Sequence, residues 1–337
     1  MKKCGAALLV LCIILSGCMG KPGAAQHTIT YLNLFDTVTT VIGTGTAESF
    51  RQETQKIYDQ LYRCHQLFDI YNNYEGLNNL KTVNDQAGIA PVKVDKAIIE
   101  LLLDCKEYYK RTEGKVNVAM GGVLKLWHDA RTAGLENPEN ARLPDGEALT
   151  EAAKHMDIES ILINETDSTV FLLDPQMSLD VGAIAKGWAC QRVAESAPEG
   201  MLISVGGNIC ATGAKANGAP WIIGVQNPEG GSEYLQTLAI IGGCVVTSGD
   251  YQRVYTVDGK NYHHIIDPQT QMPSLYWRSV TVVCQDSALA DAMSTALFLL
   301  PLEEGKNLAE RWGVQALWVD AQGKEYMTPG FQNLLAQ

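Results

Sequence analysis

Positive charge is scarce in this sequence. It sets 26 Lys and Arg against 38 Asp and Glu, a formal net charge of −12, which argues against a nucleic-acid or acidic-lipid surface. The short signatures of the common nucleotide folds are missing too. Neither a G-x-x-x-x-G-K-[ST] P-loop nor a G-x-G-x-x-G fingerprint occurs, so those folds are disfavoured. The six histidines show no H-E-x-x-H or other transition-metal spacing, and without a G-x-S-x-G elbow a serine hydrolase is disfavoured. Cysteines 64, 105, 190, 210, 244 and 284 lack C-x-x-C spacing, indicating neither a zinc site nor a disulfide scaffold. Cys105, Cys244 and Cys284 sit in apolar runs and read as small buried hydrophobes. Internal repeats and low-complexity segments are absent, and past residue 18 no run is apolar enough to span a membrane.

The first eighteen residues stand apart from any fold. Lys2 and Lys3 precede an apolar run from Ala6 to Leu15, too short for a comfortable span. It ends in Leu15-Ser16-Gly17-Cys18, which resembles a bacterial lipobox. The expectation is a lipoprotein signal peptide over 1–18, a lipidated Cys18, a tether over 19–27 and one domain over 28–337. An ordinary signal peptide or uncleaved anchor is the plainer alternative. Acyl chains on Cys18, at about 0.8 kcal/mol per buried methylene, would hold the protein on the extracytoplasmic face of a bacterial membrane. Met19 in place of an aspartate gives no inner-membrane retention signal.

Hydropathy periodicity predicts a strand over Thr28 to Val41, with Phe35-Asp36-Thr37 in its middle. It predicts an amphipathic helix over Ala47 to Phe68, with Phe50, Ile57, Leu61, Cys64 and Phe68 on its apolar face. Tyr71 to Asn84 reads as an asparagine-rich loop, and Asp95 as the N-cap of a helix through Tyr109. Gly121-Gly122 leads into Leu124 to Trp127, and Asn137 to Asp145 reads as an inserted loop. From Ser160 onward short β-rich runs dominate, interrupted by helices over Ala183 to Ser196 and Ala288 to Leu300. Asp258-Gly259 marks a hairpin turn. Helices packed on mostly antiparallel strands make the fold class α+β.

Chemistry concentrates in a few stretches. Asp180-Val181-Gly182-Ala183-Ile184-Ala185-Lys186-Gly187 follows an extended run and opens a helix, offering unpaired N–H groups and a lysine suited to phosphate. Asp180 reads either as a helix cap or as an acceptor for a bound ring system. Lys186 reads either as a surface lysine or, being unfavourable against the helix dipole, as the partner of an anion. Asp291 and Thr295 stand at i and i+4 on one helical face, two hard oxygens able to share a magnesium ion. The plain alternative is a solvent face, but this helix is so apolar that a buried carboxylate needs a cation or donors. His263-His264-Ile265-Ile266-Asp267-Pro268 places His264 as a strand-end residue or as a general acid/base. Ser204 to Asn208 and Thr247 to Tyr251 are glycine turns at strand ends, weak as lone motifs.

In their order along the chain, these motifs resemble the ApbE family of FAD:protein FMN transferases. The resemblance covers about Thr30 to Met327 and rests on five stretches: Asp180 to Gly187, Ser204 to Asn208, Thr247 to Arg253, His264 to Pro268 and Asp291 to Thr295. It implies an α+β fold related to the T-fold. It further implies Mg2+ held by the Ala183 carbonyl, Asp291 and Thr295, with FAD as substrate contacted at Asp180, Lys186, Lys115, Val116, Asn117 and Ile265, and more loosely at Phe35 and Tyr71. The Tyr71 to Asn84 loop departs from the serine-containing pattern often seen there. The implied reaction carries FMN to a threonine or serine hydroxyl of an acceptor and releases AMP, with His264 and Asp291 as catalytic groups. Acceptors implied are extracytoplasmic flavoproteins, such as subunits of Rnf and sodium-pumping NADH:quinone reductase. The rivals are FAD hydrolysis to FMN and AMP at the same site, a non-catalytic FAD-binding lipoprotein, and a solute-binding lipoprotein.

Overall fold

The computed structural model describes residues 25–231 and 233–336; Cys18 and the signal segment lie outside them. The chain opens with a hairpin, β1 (Ala25–Leu34) and β2 (Thr37–Gly45), paired from Ala25↔Gly45 to Leu34↔Thr37. The single strand expected over Thr28 to Val41 is therefore two. Phe35 and Asp36 turn the chain with φ of 52° and 51°, the doubly left-handed geometry that matches strand twist in a two-residue hairpin. The last residues of the expected tether already belong to β1.

Helix α1 (Ala47–Phe68) follows, its start held by Thr46 Oγ1, which accepts the Ser49 N–H at 3.1 Å. Its buried residues Phe50, Ile57, Leu61, Cys64 and Phe68 form the apolar stripe the sequence announces. Within the expected loop lies a short helix, α2 (Leu80–Asp85), started by reciprocal bonds between Asn79 and Thr82. Next come β3 (Val92–Lys93), α3 (Lys96–Arg111) capped by Asp95, α4 (Gly121–Glu136) and α5 (Gly146–Ala152). Strands β4 (Ile161–Asn164) and β5 (Thr169–Leu172) join β3 in a small sheet ordered β3-β5-β4.

The second half supplies α6 (Ala185–Ser196), β6 (Leu202–Val205), β7 (Asn208–Ala211) and the hairpin β8 (Trp221–Gln226) with β9 (Tyr234–Ile240). After these come β10 (Gly243–Gly249), β11 (Tyr255–Val257), β12 (Lys260–Tyr262) and β13 (Ser279–Cys284). Helices α7 (Ser287–Phe298) and α8 (Leu302–Arg311), strands β14 (Gln315–Val319) and β15 (Glu325–Met327), and α9 (Pro329–Gln332) complete the chain.

The main sheet runs β1-β2-β6-β7-β10-β13-β14-β15 and is antiparallel throughout. It separates two cores, and strand periodicity decides which side chain enters which. Val280, Val282, Ala316 and Trp318 join the large core shared with α1, α3, α6 and α7. Their neighbours Val283, Leu317 and Val319 join Trp221, Leu238 and Phe331 on the opposite face. Burial on both faces explains why these strands read as continuous apolar runs. A third cluster, with Trp127, Tyr255, Val257 and Ile266, fastens α4 to the β11–β12 hairpin. Among the described residues no helix is long and apolar enough to cross a membrane.

Candidate flavin-nucleotide cleft

The cleft lies where α4, the α6 entry, α7 and the segments after β10 and β12 meet, with a cavity of about 270 Å³. Helices α6 and α7 cross at Gly187, and no larger residue fits there. A Cβ on Gly187 would stand 2.4 Å from both Asp291 Cβ and the Ser287 carbonyl oxygen. This closeness lets the Gly187 N–H donate to Asp291 Oδ2 at 2.8 Å. Gly187 stands in the first turn of α6, where backbone N–H groups have no carbonyl of their own helix to bond. Asp291 supplies the acceptor from α7, and Ala183, just ahead of α6, lines the cleft wall beside it.

Asp291 is 4 % exposed. Burial pushes its carboxyl above the usual range, offset by the Lys186 ammonium and the Gly187 N–H. Lys186 Nζ lies 3.7 Å from Asp291 Oδ2 and donates to the Gly182 carbonyl at 3.3 Å. Thr295, one turn along α7, lines the same cavity as Ala183 and Asp291. A buried carboxylate, a hydroxyl and the main chain of Ala183 thus share one cavity wall, oxygens of the kind that suits a hard cation. Among the described residues no three His, Cys, Asp or Glu side chains gather as a metal cluster.

Asp180 does not cap α6, which begins at Ala185 after Ile184. Its Oδ1 accepts the Gly182 N–H at 2.8 Å, closing a local turn. Burial raises this carboxyl as well, against the pull of that N–H and of Arg253.

The paired histidines divide their tasks. His263 Nε2 lies 2.7 Å from the Ser274 carbonyl, which can only accept, so Nδ1 is left to take the Ile265 N–H at 3.1 Å. His263 is thus a buried structural residue, its imidazole pushed down by desolvation. His264 donates from Nδ1 to the Gln252 carbonyl at 3.1 Å, leaving the Nε2 lone pair free. Burial drives its pKa down to about 3, with Arg253, His263 and Lys186 adding to the effect.

Lys115 joins two cleft walls through Asp267 at 3.1 Å and Gln269 at 3.0 Å. Asn117 donates to the Met156 carbonyl at 2.8 Å and accepts the Ala119 N–H at 2.9 Å. Both side chains are engaged within the protein, so residues 115–117 serve the cleft as wall. Tyr71, Lys115, Val116, Asn117, Asp180, Ala183, Lys186, His264, Ile265, Asp291 and Thr295 all line the cavity. Phe35 does not. It sits at the hairpin turn, its N–H on His65 Nδ1 at 3.2 Å and its ring edge-on to the imidazole at 5.7 Å. The neighbours Asp36 and Thr37 reach the cleft instead.

Sequence reasoning missed His128, Arg131 and Asn208 as individual lining residues. Tyr71 lies against the His128 ring, centroids 5.4 Å apart. The signal for α4 was present but cut short. Continuing the 3.6-residue period past Trp127 brings His128 and Arg131 to neighbouring positions on one face.

Comparison with known proteins agrees with this geometry. The model of the ApbE family matches residues 34–318. A Treponema pallidum protein named FAD:protein FMN transferase is 35% identical over 260 residues, 71% of this chain and 70% of that one. An Escherichia coli protein of the same name is 27% identical, over 98% of this chain and 96% of that one. The crystal structure of the ApbE protein from Thermotoga maritima superposes with a TM-score of 0.82 at 27% identity, covering 93% of this chain and all of that one. A cleft walled by all five motifs, on a fold shared over nearly the whole length, makes the conclusion plain: this chain belongs to the ApbE family.

Proposed function

We propose that this chain transfers the FMN half of FAD to a threonine or serine hydroxyl of an acceptor flavoprotein and releases AMP. The relatives in Treponema and Escherichia carry the name of that activity. The observation that carries the reading is one cleft uniting two preparations. On one wall the Ala183 carbonyl, Asp291 and Thr295 offer oxygens for Mg2+, with Lys186 beside them. On another wall His264 presents an unprotonated Nε2 of fixed tautomer.

In this reading the acceptor hydroxyl donates to His264 Nε2 and attacks the phosphorus on the FMN side. Its proton passes to the imidazole, the new P–O bond forms, and the anhydride oxygen leaves on AMP. Lys186 brings a cation to the pyrophosphate, while Tyr71 and His128 offer faces for a flat ring. Bound magnesium would neutralise charge on the pyrophosphate and on the departing phosphate.

Residues 1–18 support the further reading that Cys18 is lipidated and that the enzyme works on the extracytoplasmic face. Tethering would raise its encounter rate with membrane-borne acceptors such as Rnf or NADH:quinone reductase subunits. The test incubates the chain after Cys18 with FAD, magnesium and a threonine-containing acceptor domain, followed by intact mass of the acceptor. A gain of one FMN phosphoryl unit with AMP release is expected. AMP and free FMN with an unchanged acceptor would overturn transfer in favour of hydrolysis, and unconsumed FAD would overturn both.

A further inference from the structure

Six of the nine arginines in the sequence pair with a carboxylate within 4.0 Å. Among the described residues Arg131, Arg142 and Arg253 have no such partner, and they are not scattered. Arg131 and Arg253 line the cleft, Arg142 lines a smaller adjoining cavity, and Tyr262 belongs to both. In the smaller cavity Glu139 and Asp258 balance Arg142 and Lys260. The arginines that face the cleft without an ion-pair partner are therefore Arg131 and Arg253.

These two are fastened together. Arg131 Nη1 donates to the Arg253 carbonyl at 3.5 Å, and its Nη2 lies 3.2 Å from His128 Nδ1. Arg253 holds a left-handed backbone, φ 46°, uncommon for a side chain of its size. It directly follows Gln252, whose carbonyl orients His264. The cleft's own acids form no ion pair with them. Asp291 faces Lys186, and although Asp36 and Asp180 line the same cavity and Asp180 feels Arg253 at longer range, neither brings a carboxylate oxygen within 4.0 Å of an arginine nitrogen. Desolvation and the like charge of Arg253 both disfavour the Arg131 cation, a cost that a visiting anion would relieve.

The charges of FAD are confined to its pyrophosphate, which the proposed function assigns to Lys186 and the metal oxygens. A second anion must then explain the arginines, and the other reactant is the acceptor. We infer that Arg131 and Arg253 form a docking site for an acidic side chain of the acceptor segment, close to the hydroxyl that reacts at His264. This rests on the transferase reading. It also gives a protein of net charge −12 a local means of admitting an acidic partner.

Two labelled synthetic peptides test the inference, each with one threonine, flanked by aspartates in the first and asparagines in the second. Binding to the full-length, FAD-loaded protein is read by fluorescence anisotropy, and transfer by mass. The aspartate peptide should bind about fivefold more tightly, the ratio one exposed charge pair supports. The preference should vanish in Arg131→Gln/Arg253→Gln and in high salt, with FAD affinity unchanged. Equal binding of the two peptides to the wild type would overturn the inference. So would loss of FAD affinity in the double variant, which would assign the arginines to the nucleotide. A binding preference that survives without any transfer would sink the transferase reading and leave the docking site standing.

Discussion

His264 allows one prediction to be followed from atoms to assay. Burial first, then Arg253, His263 and Lys186, hold its pKa at about 3, below its ordinary 6.5. Between those values the unfolded chain binds a proton that the folded chain refuses. The folded state therefore loses stability as pH falls through that window and keeps it above 6.5. Unscreened, the full window corresponds to about 5 kcal/mol, and the part between pH 6.5 and 5 to about 2 kcal/mol. The ring is only half-buried, and solvent screening reduces the latter to ~1 kcal/mol. For a domain of this size that is about 1.5 °C in Tm. Calorimetry of wild type and His264→Gln at pH 7 and pH 5 should show the wild type losing that much more on acidification. Equal losses would refute the argument. Lys186, one of the cations that depress His264, is the one a bound pyrophosphate neutralises, so FAD should draw its pKa part of the way back and flatten the wild-type slope. Transfer by His264→Gln should fall by about 10²–10⁴-fold with FAD affinity nearly unchanged. A loss of less than about threefold would remove His264 from the base role.

Asp291→Asn keeps an acceptor for the Gly187 N–H and removes only the charge. Magnesium titrations should lose their effect on both Tm and activity, and retained magnesium stabilisation would mean the cation sits elsewhere. Gly187→Ala drives a methyl into Asp291 and the Ser287 carbonyl; urea unfolding should report a loss of about 1–3 kcal/mol, and an unchanged midpoint would contradict the close helix crossing. Lys115→Met strands Asp267, whose exposure is 13%. The expected cost is about 3–5 kcal/mol, together with weaker FAD binding as the two walls part, and wild-type affinity would show that the ion pair does not shape the cleft.

Local periodicity sufficed wherever a residue's partners lie within a turn or two of the chain. Helix α1 was legible because Phe50, Ile57, Leu61, Cys64 and Phe68 recur on one face, and α3 because Asp95 caps it at its expected start. Asp291 and Thr295 were legible as a pair for the same reason. The break between β1 and β2 was not, since Phe35 and Asp36 take left-handed turn positions without a glycine to announce them. Helix α8 and strands β14 and β15 also went unread, although β14 packs alternately into both cores.

The sequence by itself determined the net negative charge, the α+β class, the family and eleven of the residues that line the cleft. Tertiary structure alone decided what those residues are prepared to do. The bond from Gly187 to Asp291 spans 104 positions, and it is what holds that carboxylate against the first turn of α6. Gln252 selects the free nitrogen of His264, and Phe35 turns away from the cleft while Asp36 and Thr37 enter it. Each of these depends on desolvation and on hydrogen bonds between segments far apart in sequence, which no local pattern of residue types encodes.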